Sequence, residues 1–217
     1  MAINTYSTLK TRWQDWLRDT TTVLSDRFDD ITAVLESRMN YGVEPPNPFP
    51  SPPLRARVLE QRATASASAE YLALPTDYLE MIYLKANGDP DTFLDPMTPI
   101  QITRSARNDT TDDMKYFSVV ADEIKFAPSP VAATTVEMLY YKKIPGLVTN
   151  STNDILTEAP SVYLYGGLLE IYIFKSALDR AAYFHGLYSG ALTALNAAQK
   201  ISRAGGTLVM RPEVPTY

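Results

Sequence analysis

Cysteine is absent from the 217-residue sequence, and histidine occurs once, at position 185. The lack of cysteine excludes disulfide bridges, a thiolate nucleophile and cysteine-bound zinc. A single histidine also excludes a metal site built from several imidazoles. We therefore predict no catalytic residue, no metal and no cofactor. His185 is expected to be structural, and the chain is not expected to be an enzyme.

Motifs that bind calcium or phosphate are missing as well. Asp109, Asp112 and Asp113 lie close together in the sequence, but they lack the glycine and the final glutamate of a calcium-binding loop. Gly166-Gly167 falls inside a predicted helix, and Gly205-Gly206 is not followed by the Lys-Ser or Lys-Thr of a phosphate-binding loop. The only catalytic arrangement that the sequence leaves open is a pair of carboxylates, and no pattern indicates one.

Positive charge is scarce, because 20 Lys and Arg residues stand against 25 Asp and Glu residues, for a net charge of −5. No segment gathers basic residues into a stripe, so neutralisation of phosphates is not expected to drive binding. The alternative function, a DNA-binding regulatory protein, would require Lys and Arg on one helix face. Residues 146–217 have no net charge and several tyrosines, a composition typical of protein interfaces.

One stretch, Pro160–Phe174, is predicted to be the central buried helix. Pro160 suits the first turn of a helix, where a missing N–H costs nothing. Apolar residues cover every face of the projected helix, which is typical of a helix inside a core. Gly166-Gly167 predicts the close approach of a neighbouring backbone. A membrane span needs about 20 apolar residues, and Glu170 and Lys175 interrupt this run, so no membrane partner is expected.

Three further helices are predicted from apolar residues at helical spacing. Their apolar faces consist of Tyr6, Leu9, Trp13, Trp16 and Leu17 in the first, Phe28, Ile31, Leu35 and Met39 in the second, and Phe184, Leu187, Tyr188, Ala191, Leu195 and Ala198 in the last. A helix that is apolar on all sides cannot be covered by one partner. We therefore predict an α+β fold in which N- and C-terminal helical hairpins form a four-helix bundle with an inserted antiparallel β region.

The middle of the chain changes its pattern. Six prolines within residues 45–53 predict a stiff, extended surface connector, with a docking ligand for an aromatic groove as the alternative. Alternation of Ala with Thr or Ser over residues 63–69 predicts a strand with one very small face, and Lys115–Val120 with Glu123–Ala127 predicts a hairpin. The predicted organisation is an N-terminal helical hairpin (1–44), a Pro-rich connector (45–54), a β-rich insertion (55–145), a C-terminal helical hairpin that packs on the first (146–206) and an extended C-terminal arm (207–217).

Five pieces of the sequence together resemble the head-to-tail adaptor (connector) proteins of tailed bacteriophages. Their order and spacing also match, over most of residues 1–206. The pieces are Thr5–Lys10, Tyr71–Met81, Tyr116–Pro128, Leu139–Pro145 and Asp154–Gly166.

The resemblance implies a structural virion protein of the neck. Such a protein forms a homo-oligomeric ring, typically of twelve subunits, that connects the portal to the tail. The implied partners are the portal protein, a downstream tail or nozzle protein, and the genomic double-stranded DNA, which passes through the lumen without specific binding during packaging and ejection. Assembly is expected in the host cytoplasm. The absence of a basic stripe suits a conduit that needs no affinity for DNA.

The last eleven residues, 207–217, are predicted to be an extended arm that orders on a partner. Pro212 and Pro215 forbid a continuing helix, so the backbone N–H groups need partners elsewhere. The resemblance supplies the partner, which is the portal or the neighbouring adaptor subunit. The residues predicted for this interface are Leu208, Val209, Met210, Arg211, Pro212, Val214 and Tyr217.

Overall fold

The computed structural model describes residues 2–18, 22–87, 92–108 and 113–204. The chain divides into two compact units, one of Met1–Val58 with Ile144–Tyr217 and the other of Leu59–Lys143. The helices are α1 (Tyr6–Leu17), α2 (Thr22–Ser25), α3 (Phe28–Tyr41), α4 (Pro99–Asn108), α5 (Asp154–Glu158), α6 (Pro160–Phe174) and α7 (Leu178–Ala204). The strands are β1 (Glu60–Ala67), β2 (Tyr71–Ala73), β3 (Tyr78–Ala86), β4 (Thr92–Phe93), β5 (Asp95–Pro96), β6 (Tyr116–Val120), β7 (Glu123–Ala127) and β8 (Thr134–Lys142).

Helix α6 is the central element of the first unit, and its predicted bounds, Pro160–Phe174, are confirmed. Pro160 occupies the first turn, and most of the helix is buried. The prediction of a close backbone at the two glycines is wrong, because side chains fill both places. Leu35 and Tyr188 pack against Gly166, and the indole of Trp13 lies against Gly167. The glycines thus create room on α6 for large side chains from α1, α3 and α7.

The fold class is α+β, but the predicted four-helix bundle with an inserted antiparallel β region is wrong. Helices α1, α3 and α7 all pack on α6, and the short helix α5 does so too. The core of this unit also includes residues outside helices, among them Phe49, Leu54 and Leu147. The fully apolar α6 therefore sits in a core completed by non-helical chain, which the helical periodicity of the sequence does not reveal.

The β-rich unit contains two four-stranded sheets within the described residues, with strand orders β1-β8-β3-β4 and β2-β7-β6-β5. Side chains from both sheets meet in one hydrophobic cluster, which includes Leu84, Val136 and Met138 from the first sheet and Ile124 and Phe126 from the second. The strands divide between two sheets, and the prediction that the region is antiparallel is wrong for β5, which pairs with β6 in parallel. Helix α4 was not predicted from the sequence.

Two local predictions in this unit are confirmed. The hairpin of β6 and β7 turns at Ala121, which adopts a φ of 53°. Strand β1 presents Ala63 and Ala65 to the hydrophobic cluster, and Ala67 is a buried member of it. Small side chains on this face let β1 approach the core closely, as the Ala/Thr/Ser alternation predicted.

Candidate assembly surfaces of the helical unit

The seven interface residues predicted from the sequence lie outside the described residues. They are Leu208, Val209, Met210, Arg211, Pro212, Val214 and Tyr217, and the described chain ends with α7 at Ala204. We therefore turn to the described residues of the helical unit for surfaces that can contact another protein. Three features stand out there: a buried polar network, an aromatic cluster and an apolar groove.

The polar network begins at Glu36 on α3. Its Oε1 accepts hydrogen bonds from the backbone N–H of Leu147 (2.8 Å) and from the Tyr163 hydroxyl (3.2 Å). Asn153 donates to the same tyrosine hydroxyl (2.7 Å) and to the Pro145 carbonyl (2.9 Å). Burial raises the pKa of the Glu36 carboxyl and the pKa of the Tyr163 hydroxyl. The network fastens residues 144–153 to α3 and α6, so this non-helical segment is part of the core.

Arg38, two residues after Glu36 on α3, forms a buried ion pair with Glu170 of α6. The distance from Arg38 Nε to Glu170 Oε1 is 2.5 Å, and both side chains are almost completely buried. The guanidinium also donates to the Phe49 carbonyl (2.7 Å). Glu170 interrupts an apolar run in the sequence. In the structure it neutralises the Arg38 guanidinium, which in turn binds the Pro-rich segment to the core.

The Pro-rich segment is a closed loop rather than the extended connector predicted from its composition. Val43 and Ser51 form a backbone bridge, so the chain doubles back between them. Phe49 is buried, and its ring lies 5.6 Å from the His185 ring. His185 Nε2 lies 2.7 Å from the Pro50 carbonyl oxygen, which can only accept, so Nε2 carries the proton. The single histidine thus anchors this loop, in a structural role.

An aromatic cluster covers the side of α6 that faces α7 and the end of α1. Phe184 lies at its centre: its ring stacks on Tyr172, with the ring centroids 5.3 Å apart, and contacts the rings of Trp16 (6.1 Å) and Tyr183 (5.2 Å) at an angle. Trp16 also contacts the ring of Tyr165, at a centroid distance of 6.2 Å. The inner rings, Phe184 and Tyr172, are buried, whereas Trp16 is 49% and Tyr183 65% exposed. Two large aromatic side chains therefore project from a packed aromatic base.

A groove of about 380 Å³ lies between α3 and α6. Its apolar lining consists of Ile31, Val34, Ile173 and Phe174, and we call it the α3–α6 groove. Its charged lining consists of Arg27, Asp30 and Glu170. Val34 and Phe174 are more than half exposed. The helical unit therefore carries an apolar depression as well as the aromatic projection.

The helical spacing of the sequence predicted neither surface. It placed Trp16 on the buried face of the first helix with Tyr6, Leu9 and Trp13, and the structure buries those three but leaves Trp16 half exposed. The sparsely charged, tyrosine-rich composition of residues 146–217 predicted an interface in this part of the chain. It did not identify which aromatic residues reach the surface, because that depends on the neighbouring helices.

Among residues 2–18, 22–87, 92–108 and 113–204, no group of three or more His, Cys, Asp or Glu side chains is placed to hold a metal ion. In the same ranges, no helix combines the length and apolar character needed to cross a membrane.

Comparison with known proteins identifies the family. No curated protein matches the sequence. A family model described as SU10 adaptor protein matches residues 4–211, which is nearly the whole chain. This match agrees with the resemblance carried by the five sequence pieces. The chain belongs to the SU10 adaptor protein family, a family of bacteriophage head-to-tail adaptors whose members are structural proteins of the virion neck.

Proposed function

We propose that this protein forms a ring, typically of twelve subunits, between the portal and the tail, and that double-stranded DNA passes through the ring during packaging and ejection. The observation that carries the proposal is the family match over residues 4–211. The ring would assemble in the host cytoplasm on portal-bearing heads and then receive a tail or nozzle protein on its other side. An acidic chain with a net charge of −5 suits a channel along which DNA must slide.

We further propose that residues 207–217 anchor the ring to the portal. Four apolar residues in this segment, Leu208, Val209, Met210 and Val214, offer surface that a partner can bury. Pro212 and Pro215 lack a backbone N–H, so the segment suits an extended arm better than a helix. An arm that orders on its partner loses conformational entropy, which the apolar contacts must offset.

Deletion of residues 207–217 tests the anchor. We expect the truncated protein to keep its melting temperature, because the segment lies beyond α7, and to lose binding to purified portal-bearing heads. The full-length variant Val209→Asp should show the same loss, because a charge replaces an apolar contact, whereas the matched control Glu213→Gln should bind normally. Binding is measured by co-sedimentation of the purified protein with the heads. Normal docking of the truncated protein would show that the arm is not the anchor.

A second prediction separates the conduit from the DNA-binding regulator. We expect the purified protein to bind a free DNA duplex weakly or not at all at physiological salt, because no basic stripe gathers contacts to phosphate. Fluorescence anisotropy with a labelled duplex at several salt concentrations measures this affinity. Submicromolar binding that weakens steeply with salt would favour the regulator and contradict the conduit.

A further inference from the structure

We infer that neighbouring copies of this chain join head to tail by inserting the Trp16/Tyr183 projection of one copy into the α3–α6 groove of the next. The inference rests on the proposed ring, because it names the surfaces that would join identical subunits. Both surfaces lie in the helical unit. The contact can be tested with the purified chain alone, without heads or DNA.

The groove accepts apolar side chains better than a polar ligand. Its two rim charges pair with each other, since Arg27 Nη1 lies 3.4 Å from Asp30 Oδ2. Its third charge, Glu170, pairs with the buried Arg38. The charged groups in the lining are thus already compensated, and the surface that remains open is Val34, Phe174 and their apolar neighbours. At about 380 Å³ the groove has room for one or two side chains, and it lies at the small end of ligand pockets, which span about 300–1,000 Å³.

The aromatic projection has the properties of an interface anchor. Tryptophan and tyrosine are enriched among the residues that dominate binding energy. Trp16 and Tyr183 are held by ring contacts to the buried Phe184. Rings that are already restrained by such contacts lose less side-chain entropy when they bind. The Arg180 guanidinium lies 5.7 Å from the centroid of the Tyr172 ring, so a cation lies beside the buried rings that support Trp16 and Tyr183.

The projection and the groove lie on different faces of α6. Tyr165 and Tyr172, which carry the aromatic contacts, are seven residues apart and share one face. Glu170 and Ile173, which line the groove, are three residues apart and share another. At about 100° per residue, the two faces are separated by about 120° around the helix. One copy can therefore use both surfaces at once, each with a different neighbour, and contacts of this heterologous kind build rings or open filaments.

The chain's own C-terminal segment fits the groove poorly. Helix α7 begins at Leu178, four residues after the groove residue Phe174, and its 27 residues end at Ala204. A helix of that length spans about 40 Å. The 13 residues from 205 to 217 reach at most about 47 Å, so only a fully extended path back along α7 would return them to the groove. A second copy needs no such path.

Charge placed on either surface tests the contact. We compare the wild type with Val34→Arg in the groove, Tyr183→Arg on the projection and the control Val148→Arg, each at an exposed position. The wild type and the control should associate as concentration rises, and each of the other two should associate at least about thirtyfold more weakly, as loss of an interface anchor implies. Sedimentation velocity measures association, and thermal melts confirm that every variant is folded.

Mixing the two defective variants separates a head-to-tail contact from other modes. Val34→Arg keeps its projection and Tyr183→Arg keeps its groove, so an equimolar mixture should form dimers and nothing larger. A contact in which either surface pairs with itself would leave the mixture no more associated than the separate variants. A wild type without residues 205–217 should associate normally, and loss of association on that truncation would assign the groove to the C-terminal segment of another copy.

Any of four results would overturn the inference: a wild type that stays monomeric to about 100 μM, variants that associate like the wild type, a mixture without dimers, or loss of association when residues 205–217 are removed. These failures are distinct from failure of the proposed function. If Val34→Arg and Tyr183→Arg associate normally and still join portal-bearing heads, the adaptor function stands and subunits meet through another surface. If association follows the inference while heads are not bound, the portal proposal fails and the subunit contact stands.

Discussion

Replacing Arg38 with Met while Glu170 remains is expected to lower the free energy of unfolding by about 3–5 kcal/mol. The substitution leaves a carboxylate in the core without its cation, because both members of the pair are almost completely buried. It also removes the donor to the Phe49 carbonyl, which holds the Pro-rich loop. Urea unfolding followed by circular dichroism measures the change in stability.

Two comparisons isolate the ion pair in this experiment. The double variant Arg38→Met/Glu170→Met should lose less stability than the sum of the two single variants, because no unpaired charge stays buried. Asp15→Asn, which breaks the half-exposed Arg12–Asp15 pair on α1, should change stability by no more than about 1 kcal/mol. If Asp15→Asn and Arg38→Met lowered the free energy of unfolding equally, burial of the Arg38–Glu170 pair would not account for the cost of breaking it.

Replacing Gly167 with Ala is expected to destabilise the protein by about 1–3 kcal/mol. Alanine is intrinsically better than glycine in a helix by about 1 kcal/mol, so local propensity alone predicts the opposite sign. Packing reverses it, because the new Cβ would overlap the Trp13 indole. The indole cannot retreat freely, since it is fully buried and its Nε1 donates to the Leu164 carbonyl at 3.2 Å.

Glycines of α7 provide the matched control. At Gly186 and Gly190 a Cβ would meet no atom within 4 Å, so alanine there should stabilise the protein by a few tenths to about 1 kcal/mol. Thermal and urea unfolding of the three variants give the signs directly. If Gly167→Ala stabilised the protein as Gly186→Ala should, Trp13 could not be packed against α6 as the structure shows.

The bounds of α6 and the β6–β7 hairpin could be predicted because local chemistry determines them. Proline suits the first turn at Pro160 wherever the helix is placed, and an apolar run without one-sided periodicity indicates burial. In the hairpin, two short alternating runs flank Ala121 and Asp122. Strands that are this close in sequence can pair through the turn between them, so their pairing can be predicted from local sequence.

Strand pairing in the β-rich unit could not be predicted in this way. Alternation shows that β1 has a small buried face, but it does not show that its partner is β8, about 70 residues later. Strands β2 and β3 are neighbours in sequence yet belong to different sheets. Periodicity describes the faces of a strand, whereas pairing depends on which edges the folded core brings together.

The candidate assembly surfaces show the same division between local and long-range information. The sequence by itself determined a low-charge, tyrosine-rich C-terminal region, a buried central helix and the absence of a basic stripe, since composition and periodicity are properties of the chain. Only the tertiary structure decided that Trp16 and Tyr183 are exposed and that Glu170 meets Arg38 across 132 residues. The physical reason is that exposure and ion pairing depend on the side chains that three other helices bring to α6, and no local pattern in α6 specifies those neighbours.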